Sequence, residues 1–212
     1  MKIAFVGVGN VGAPLADHLQ QVGHSVAIAA RDPQSQTVLE ALDRNPALVV
    51  QSPIEAVESA DVVFLATPFA AIEAALTPLI SALKGKVLVD CTNPVGANLT
   101  HGLQSQLSGS ETIQQLVPDA HVVKSFTIYG YENFENSHYP GYGDLKPAML
   151  IAGDDAAAKA VVADICQQLG WEPVDTGGLS SSLHLEHMTL LWIKMARVQG
   201  RGADFVWGLL HR

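Results

Sequence analysis

Positive charge is scarce in this 212-residue sequence: 12 Lys and Arg stand against 21 Asp and Glu, a net charge of −9. Such a surface repels a polyanion, so nucleic acid is not an expected partner. Any anionic small molecule must be held by local groups, because the global field opposes it. Charged residues of either sign make up only 16%, against 48% apolar residues, which points to a well-filled core. No apolar run is long enough to span a membrane, and none is expected to do so. Cysteine is limited to Cys91 and Cys166. Neither has metal-ligand spacing to a partner, and both read as buried small hydrophobes rather than a disulfide. The eight histidines are scattered. His184 and His187, three apart on a helix, lack a third ligand, so no metal site is expected. A Ser-His-Asp arrangement, a placed carboxylate pair, internal repeats, low-complexity tracts and linkers are missing as well. The start, Met1-Lys2-Ile3, runs straight into a structural motif, so its removal as a signal peptide would destroy a strand; a cytoplasmic protein is expected.

That motif organises the chain. An apolar run from Ile3 to Val6 feeds into Gly7-Val8-Gly9-Asn10-Val11-Gly12, a strand entering a G-x-G-x-x-G turn. Gly7 permits the tight turn, Gly9 lets the backbone approach a pyrophosphate, and Gly12 lets the following helix lie close to the strand. Together they aim a helix N-terminus at an anion. The helix reads Ala13 to Val22, with Leu15, Ala16, Leu19 and Val22 on one stripe and Gly23 as its stop. The next strand, Ser25 to Ala30, ends in Ala30-Arg31, where a sheet that binds NAD would place a carboxylate for the ribose hydroxyls. A small residue followed by Arg leaves room for a 2′-phosphate and supplies a guanidinium to pair with it, so NADP is the expected cofactor.

From Asp32-Pro33 a polar helix is expected to about Asp43, then a short strand at 48–50. Ser52-Pro53 opens a helix with Glu55 completing a capping box. Ala60 to Ala66 is the strongest central-strand signal, and its end puts Thr67, Pro68 and Phe69 at the crevice. Ala70 to Leu83 reads as a crossover helix that Pro78 kinks or splits, followed by strand Lys86 to Asp90. Asn93 either orients the nicotinamide through its amide or serves the turn before Pro94. A surface loop at 100–110, a helix at 111–116 and a strand at 120–126 come next. Tyr129 to Tyr142, holding all four tyrosines, reads as an irregular aromatic loop, either a pocket wall or a loop pinned by its own rings. A strand at 147–152, a helix at 154–169 and a strand at 171–175 lead into a tail, 180–210, read as two helices broken at Gly200 and Gly202. The expected fold is α/β: a Rossmann-type, doubly wound, mostly parallel sheet over 1–150 with a small C-terminal helical extension, 151–212, completing the acceptor pocket.

With these pieces in place, the sequence resembles the coenzyme F420-dependent NADP oxidoreductases across nearly its whole length. The matching segments are Ile3 to Gly12, Gly23 to Val26, Ala30-Arg31, Asp61 to Pro68, Asp90 to Val95, Val122 to Phe126, Gly153 to Asp155, Asp175 to Leu179, Leu185-Glu186 and Leu190 to Ile193. The first five also suit pyrroline-5-carboxylate reductase and 6-phosphogluconate dehydrogenase relatives, so the tail discriminates. The resemblance implies hydride transfer between the nicotinamide and a deazaflavin stacked on it, a reaction in which the protein aligns two rings and excludes water. The sequence departs from archaeal members at Val8 and Ala30, where a hydroxyl residue is usual, which leaves Arg31 to carry more of the selectivity. It departs from bacterial members at Thr127, where Asn is common. Expected cofactor contacts are Gly7, Val8, Gly9, Asn10, Val11, Gly12, Arg31, Thr67, Pro68 and Asn93. Expected acceptor contacts are Phe69, Lys124, Phe126, Thr127, Met188 and Trp192. The acceptor could also be an ordinary flavin or another small oxidant. Two other readings are a reductase of small imines or carbonyls, with Lys124 or Thr127 as proton donor, and a nucleotide sensor without turnover. Leu185, Met188, Leu191, Trp192 and Met195 fall at helical spacing, as core or as the wall of the acceptor slot; Glu186 lies off that stripe, placed to hold the loop or a partner helix. A homodimer is expected.

Overall fold

The computed structural model describes residues 1–210 and 212. Strands β1 (Lys2–Val6), β2 (Ser25–Ala29), β3 (Val49–Gln51), β4 (Val62–Leu65), β5 (Val87–Asp90), β6 (His121–Lys124), β7 (Ala148–Gly153) and β8 (Glu172–Asp175) form one sheet in the order β3-β2-β1-β4-β5-β6-β7-β8. The first six run parallel, β7 is antiparallel to β6, and β8 is parallel to β7. Helices α1 (Gly12–Gln21), α2 (Gln36–Arg44), α3 (Pro53–Ser59), α4 (Ile72–Leu76), α5 (Gly109–Leu116), α6 (Glu132–Glu135), α7 (Ala156–Gln168) and α8 (Ser182–Ile193) complete the chain. The sheet is covered on both faces, which is why its inner strands are continuous apolar runs. Ile3 and Phe5 of β1 belong to one buried cluster that also holds Leu15, Leu19, Val162 and Trp192. Ala4 and Val6, pointing the other way, belong to a second buried cluster with Val57, Leu76, Leu88 and Ile113. Strand order reverses between β1 and β4, and the carboxyl ends of these two strands are where an open α/β sheet places its ligand crevice.

Three expectations are corrected, and the crossover helix takes one of the two courses expected of Pro78. The polar helix begins at Gln36 rather than Asp32, because the Asp32 carboxylate accepts from the Gln34 N–H at 2.9 Å and makes a turn first. The crossover helix is split: α4 is bounded by single 3₁₀ turns at 69–71 and 77–79, and Pro78 lies in the second. The segment 100–110 is not simply surface, since His101, Ser108, Gly109 and Ser110 are buried and α5 already begins at Gly109 behind a Ser108–Glu111 capping box. The second half of the tail is not helical. After a π-helical turn at 194–198, Gly200 and Gly202 turn the chain with φ of +70° and +80°. It then runs back without helix, so that Trp192 Nε1 donates to the Phe205 carbonyl (3.0 Å) and Ala148 N donates to the Trp207 carbonyl (2.8 Å). The tyrosine segment also divides. Tyr129 is core, with its hydroxyl donating to the Ala148 carbonyl at 2.6 Å and its ring stacked on Trp171, while Tyr142 is exposed. The boundary expected at residue 150 falls inside β7, and the extension beyond it adds β8 as well as helices to the same sheet.

Candidate active site

Four parallel strands deliver the candidate residues to one edge of the sheet. β1 ends in the glycine turn, β4 in Thr67-Pro68-Phe69, β5 in Thr92-Asn93-Pro94, and β6 in Ser125 to Ile128. The glycines of the first turn answer to different constraints. Gly7 has φ +100°, and a Cβ there would lie 2.7 Å from the Ala66 carbonyl oxygen. At Gly12 a Cβ would come within 2.2 Å of the Gly7 carbonyl oxygen, so this glycine lets α1 approach the turn. Around Gly9 a Cβ would meet nothing within 4 Å. Packing does not require that glycine, and the open space beside it suits a group from outside the chain. Helix α1 presents its first N–H groups without a side-chain cap, in the manner of a helix that receives an anion. Facing this turn across Gly7, Thr67 holds a buried hydroxyl with no hydrogen-bond partner among the described residues. Orphaned polar atoms are costly, and a ligand group would satisfy this one. At the end of β2, Arg31 is exposed and Ala30 precedes it. A dinucleotide with a 2′-phosphate fits this set: an open glycine, an uncapped helix start and a guanidinium.

The ends of β5 and β6 are held by a buried polar network that the sequence did not disclose. The Lys124 ammonium, fully buried, donates to Asp90 Oδ2 (3.0 Å), to Glu186 Oε1 (3.1 Å) and to the Thr92 carbonyl. Burial pulls the Lys124 pKa down, but the Asp90 and Glu186 carboxylates outweigh it and hold it above the ordinary lysine value. Glu186 also pairs with His101 Nε2 (2.7 Å) and accepts from Gly109 N (2.9 Å). Asp90 takes in addition the Thr92 N–H (2.8 Å), the Thr92 hydroxyl (2.7 Å) and the Ser110 hydroxyl (2.7 Å). Every proton of the Lys124 ammonium is therefore committed. The expectation that Lys124 contacts the acceptor or donates a proton to it is corrected: it welds α8 to the sheet.

Other expected acceptor contacts separate as well. Phe126 is buried, 5.6 Å from the Phe64 ring and 6.3 Å from Phe134. Trp192 is buried under Phe205, ring centroids 5.4 Å apart, and against Gly130, where a Cβ would lie 2.3 Å from its ring. Both are core residues. Phe69 is half-buried against Gly109, and Met188 is half-buried on α8. Thr127 is buried; its hydroxyl donates to Asn93 Oδ1 at 2.8 Å and lies 2.9 Å from the Thr189 hydroxyl. Its neighbours are strained: Phe126 has φ +50° and Ile128 φ +68°. Left-handed backbone at a non-glycine residue costs on the order of 1–3 kcal/mol, most for a β-branched one, and such residues cluster at functional sites.

The chain has recognisable relatives among known proteins. Residues 2–94 match the model of the family described as NADP oxidoreductase, coenzyme F420-dependent. The chain is 30% identical over 209 residues to the F420-dependent NADP reductase of Methanothermobacter marburgensis, covering 92% of each chain. It is 32% identical over 190 residues to metalloreductase STEAP3 of Rattus norvegicus, covering 89% of this chain but only 36% of that one, so it spans about a third of the metalloreductase's length. A crystal structure of a protein from Arthrobacter sp. FB24, assigned as an F420-dependent NADP reductase, superposes with a TM-score of 0.87 at 30% identity, covering 100% of both chains.

Proposed function

The chain belongs to the family of coenzyme F420-dependent NADP oxidoreductases, and from that premise we propose that it passes a hydride between NADP(H), seated on the Gly7–Gly12 turn, and a deazaflavin or flavin ring. The observation that carries this reading is the conjunction at the carboxyl edge of the sheet: open space at Gly9, the uncapped start of α1, the orphaned Thr67 hydroxyl, and Ala30-Arg31 in place of a carboxylate. When bound, the two heterocycles supply the redox chemistry themselves. The protein's part is to bind and align. The α1 N-terminus takes the pyrophosphate, Arg31 pairs with the 2′-phosphate, and Thr67 and Asn93 meet the nicotinamide end. Phe69 and Met188, both half-buried, offer apolar surface that excludes water from the facing rings.

Reduction of an imine or carbonyl would need a proton donor at the reacting atom. Lys124 has no free proton to give, and the Thr127 proton goes to Asn93. A screen of NADPH oxidation over a deazaflavin, FMN, FAD and simple imines tests the proposal. Turnover with the deazaflavin or a flavin is expected. Turnover with imines alone would overturn it, and tight NADPH binding with no turnover on any acceptor would leave a sensor.

A further inference from the structure

We propose that Thr127 is a positioning residue for the cofactor: clamped by a strained turn and by the Thr189 hydroxyl of α8, it holds the Asn93 carboxamide by its oxygen, so that the amide NH₂ is presented to the crevice as a donor to the nicotinamide end. This deepens, and rests on, the reading of the crevice as an NADP site.

An asparagine side chain has an acceptor end and a donor end that are nearly equal in shape, and the hydrogen bond made by one end decides which is offered by the other. Thr127 donates to Asn93 Oδ1 at 2.8 Å. Among the described residues Asn93 Nδ2 has no protein acceptor, and Asn93 is half-buried at the end of β5. A hydroxyl has one proton, so with Thr127 giving its own to Asn93, Thr127 can only accept along its 2.9 Å contact with Thr189. Thr189 meanwhile accepts from the Ile128 N–H at 3.0 Å, and its one proton is shared between Thr127 and the Leu185 carbonyl, to which it donates at 3.1 Å. The relay therefore runs from α8 through Thr127 to Asn93.

The backbone on either side leaves Thr127 little choice. Phe126 and Ile128 are both left-handed, at φ +50° and +68°, a pairing of bulky and β-branched residues that a loop adopts only when its surroundings force it. Asn93 is equally fixed from below, since Lys124 holds the Thr92 carbonyl and Asp90 holds the Thr92 N–H. The group such a donor recognises is an acceptor oxygen, on the nicotinamide carboxamide or on its ribose.

The test is a double-mutant cycle on binding, with no acceptor present. Dissociation constants of NADPH and of 2′,5′-ADP, which lacks the nicotinamide half, are measured for wild type, Thr127→Val, Thr127→Ser, Asn93→Ala and the Val–Ala double variant, beside their melting temperatures. Thr127→Val should weaken NADPH roughly threefold to tenfold, the scale of one neutral hydrogen bond. Its 2′,5′-ADP affinity should not change, Thr127→Ser should bind as wild type, and the double variant should be no weaker than Asn93→Ala alone. Wild-type NADPH affinity in Thr127→Val, equal weakening of both ligands, or losses that multiply in the double variant would each overturn the inference. Should Thr127→Val fail to fold, Thr189→Val enters the same cycle with the same criteria. A wild-type protein that binds neither ligand would instead overturn the site reading beneath it.

Discussion

At the scale of single residues, the three glycines of the first turn are not interchangeable, and the difference can be measured. Gly9→Val is expected to fold, with a melting temperature near that of wild type, because its Cβ would meet no atom within 4 Å. It should nonetheless bind no NADPH, since the branched side chain would stand where a pyrophosphate approaches. Gly12→Val should fail earlier, because its Cβ would sit 2.2 Å from the Gly7 carbonyl oxygen. Thermal melts and NADPH fluorescence titrations on the two variants separate these outcomes; normal affinity in a folded Gly9→Val protein would remove the motif assignment. Arg31 carries the other residue-scale prediction. Exposed at the end of β2, with its neighbour Asp32 engaged by the Gln34 N–H, it is available to a phosphate. Arg31→Ala should cost NADPH about 1.5–3 kcal/mol of binding free energy, the scale of a charge-assisted hydrogen bond, and leave NADH almost unchanged. Equal loss for both cofactors, by calorimetry or fluorescence, would sink the selectivity argument.

At the scale of elements, the junction of α8 with β5 and β6 depends on one buried ammonium between two carboxylates. Lys124→Met removes the cation and leaves Asp90 and Glu186 buried with less compensation, which is expected to cost about 3–5 kcal/mol in urea denaturation. The pH dependence has a definite sign. The folded-state pKa of Lys124 is raised, so the stability it contributes is fully present below the unfolded lysine pKa, about 10.4, and is lost only as pH rises through the higher folded value. The loss in Lys124→Met should therefore be constant from pH 7 to 9 and shrink only in strong alkali; a loss that already fades below pH 9 would contradict the charged assignment. The same junction explains why spacing alone misplaces the phase of α8. Spacing predicts an apolar stripe of Leu185, Met188, Leu191, Trp192 and Met195, yet Leu191 is 49% exposed while Glu186 and Thr189 are buried. The inward face of α8 carries polar residues whose hydrogen bonds offset their burial, and hydrophobicity alone cannot register that.

At the scale of the molecule, β7 and β8 continue the sheet begun by β1, and Trp171, Trp192 and Phe205 pack in or against the same core as Phe5 and Phe64. Residues 151–210 therefore share a core with the half that carries the glycine turn. All three tryptophans lie in this C-terminal part, whereas far-ultraviolet circular dichroism reports the whole chain. Unfolding monitored by tryptophan fluorescence and by circular dichroism should give coincident transitions, as one cooperative unit does. Two separated midpoints would show that the two parts unfold as separate units.

Much of this was legible locally. The G-x-G-x-x-G turn after an apolar strand, the Ser52–Glu55 capping box and the alternation of strands with helices are short-range signals, because a strand, a cap or a glycine turn is decided by residues a few positions apart. They were enough to lay out the sheet and to name the first turn and the strand ends as candidates. Pro78 and the glycines at 200 and 202 announced breaks but not the path of the chain beyond them, since a break says only where a helix cannot continue. The tertiary structure decided the rest: that Lys124 is sealed, that Trp192 and Phe126 are core, and that Thr127 reaches Asn93. Lys124 meets Glu186 across 62 residues of chain and His101 meets Glu186 across 85. No periodicity links positions so far apart; only when α8 folds back onto the ends of β5 and β6 does burial strip water from those side chains and oblige each to find its partner in another.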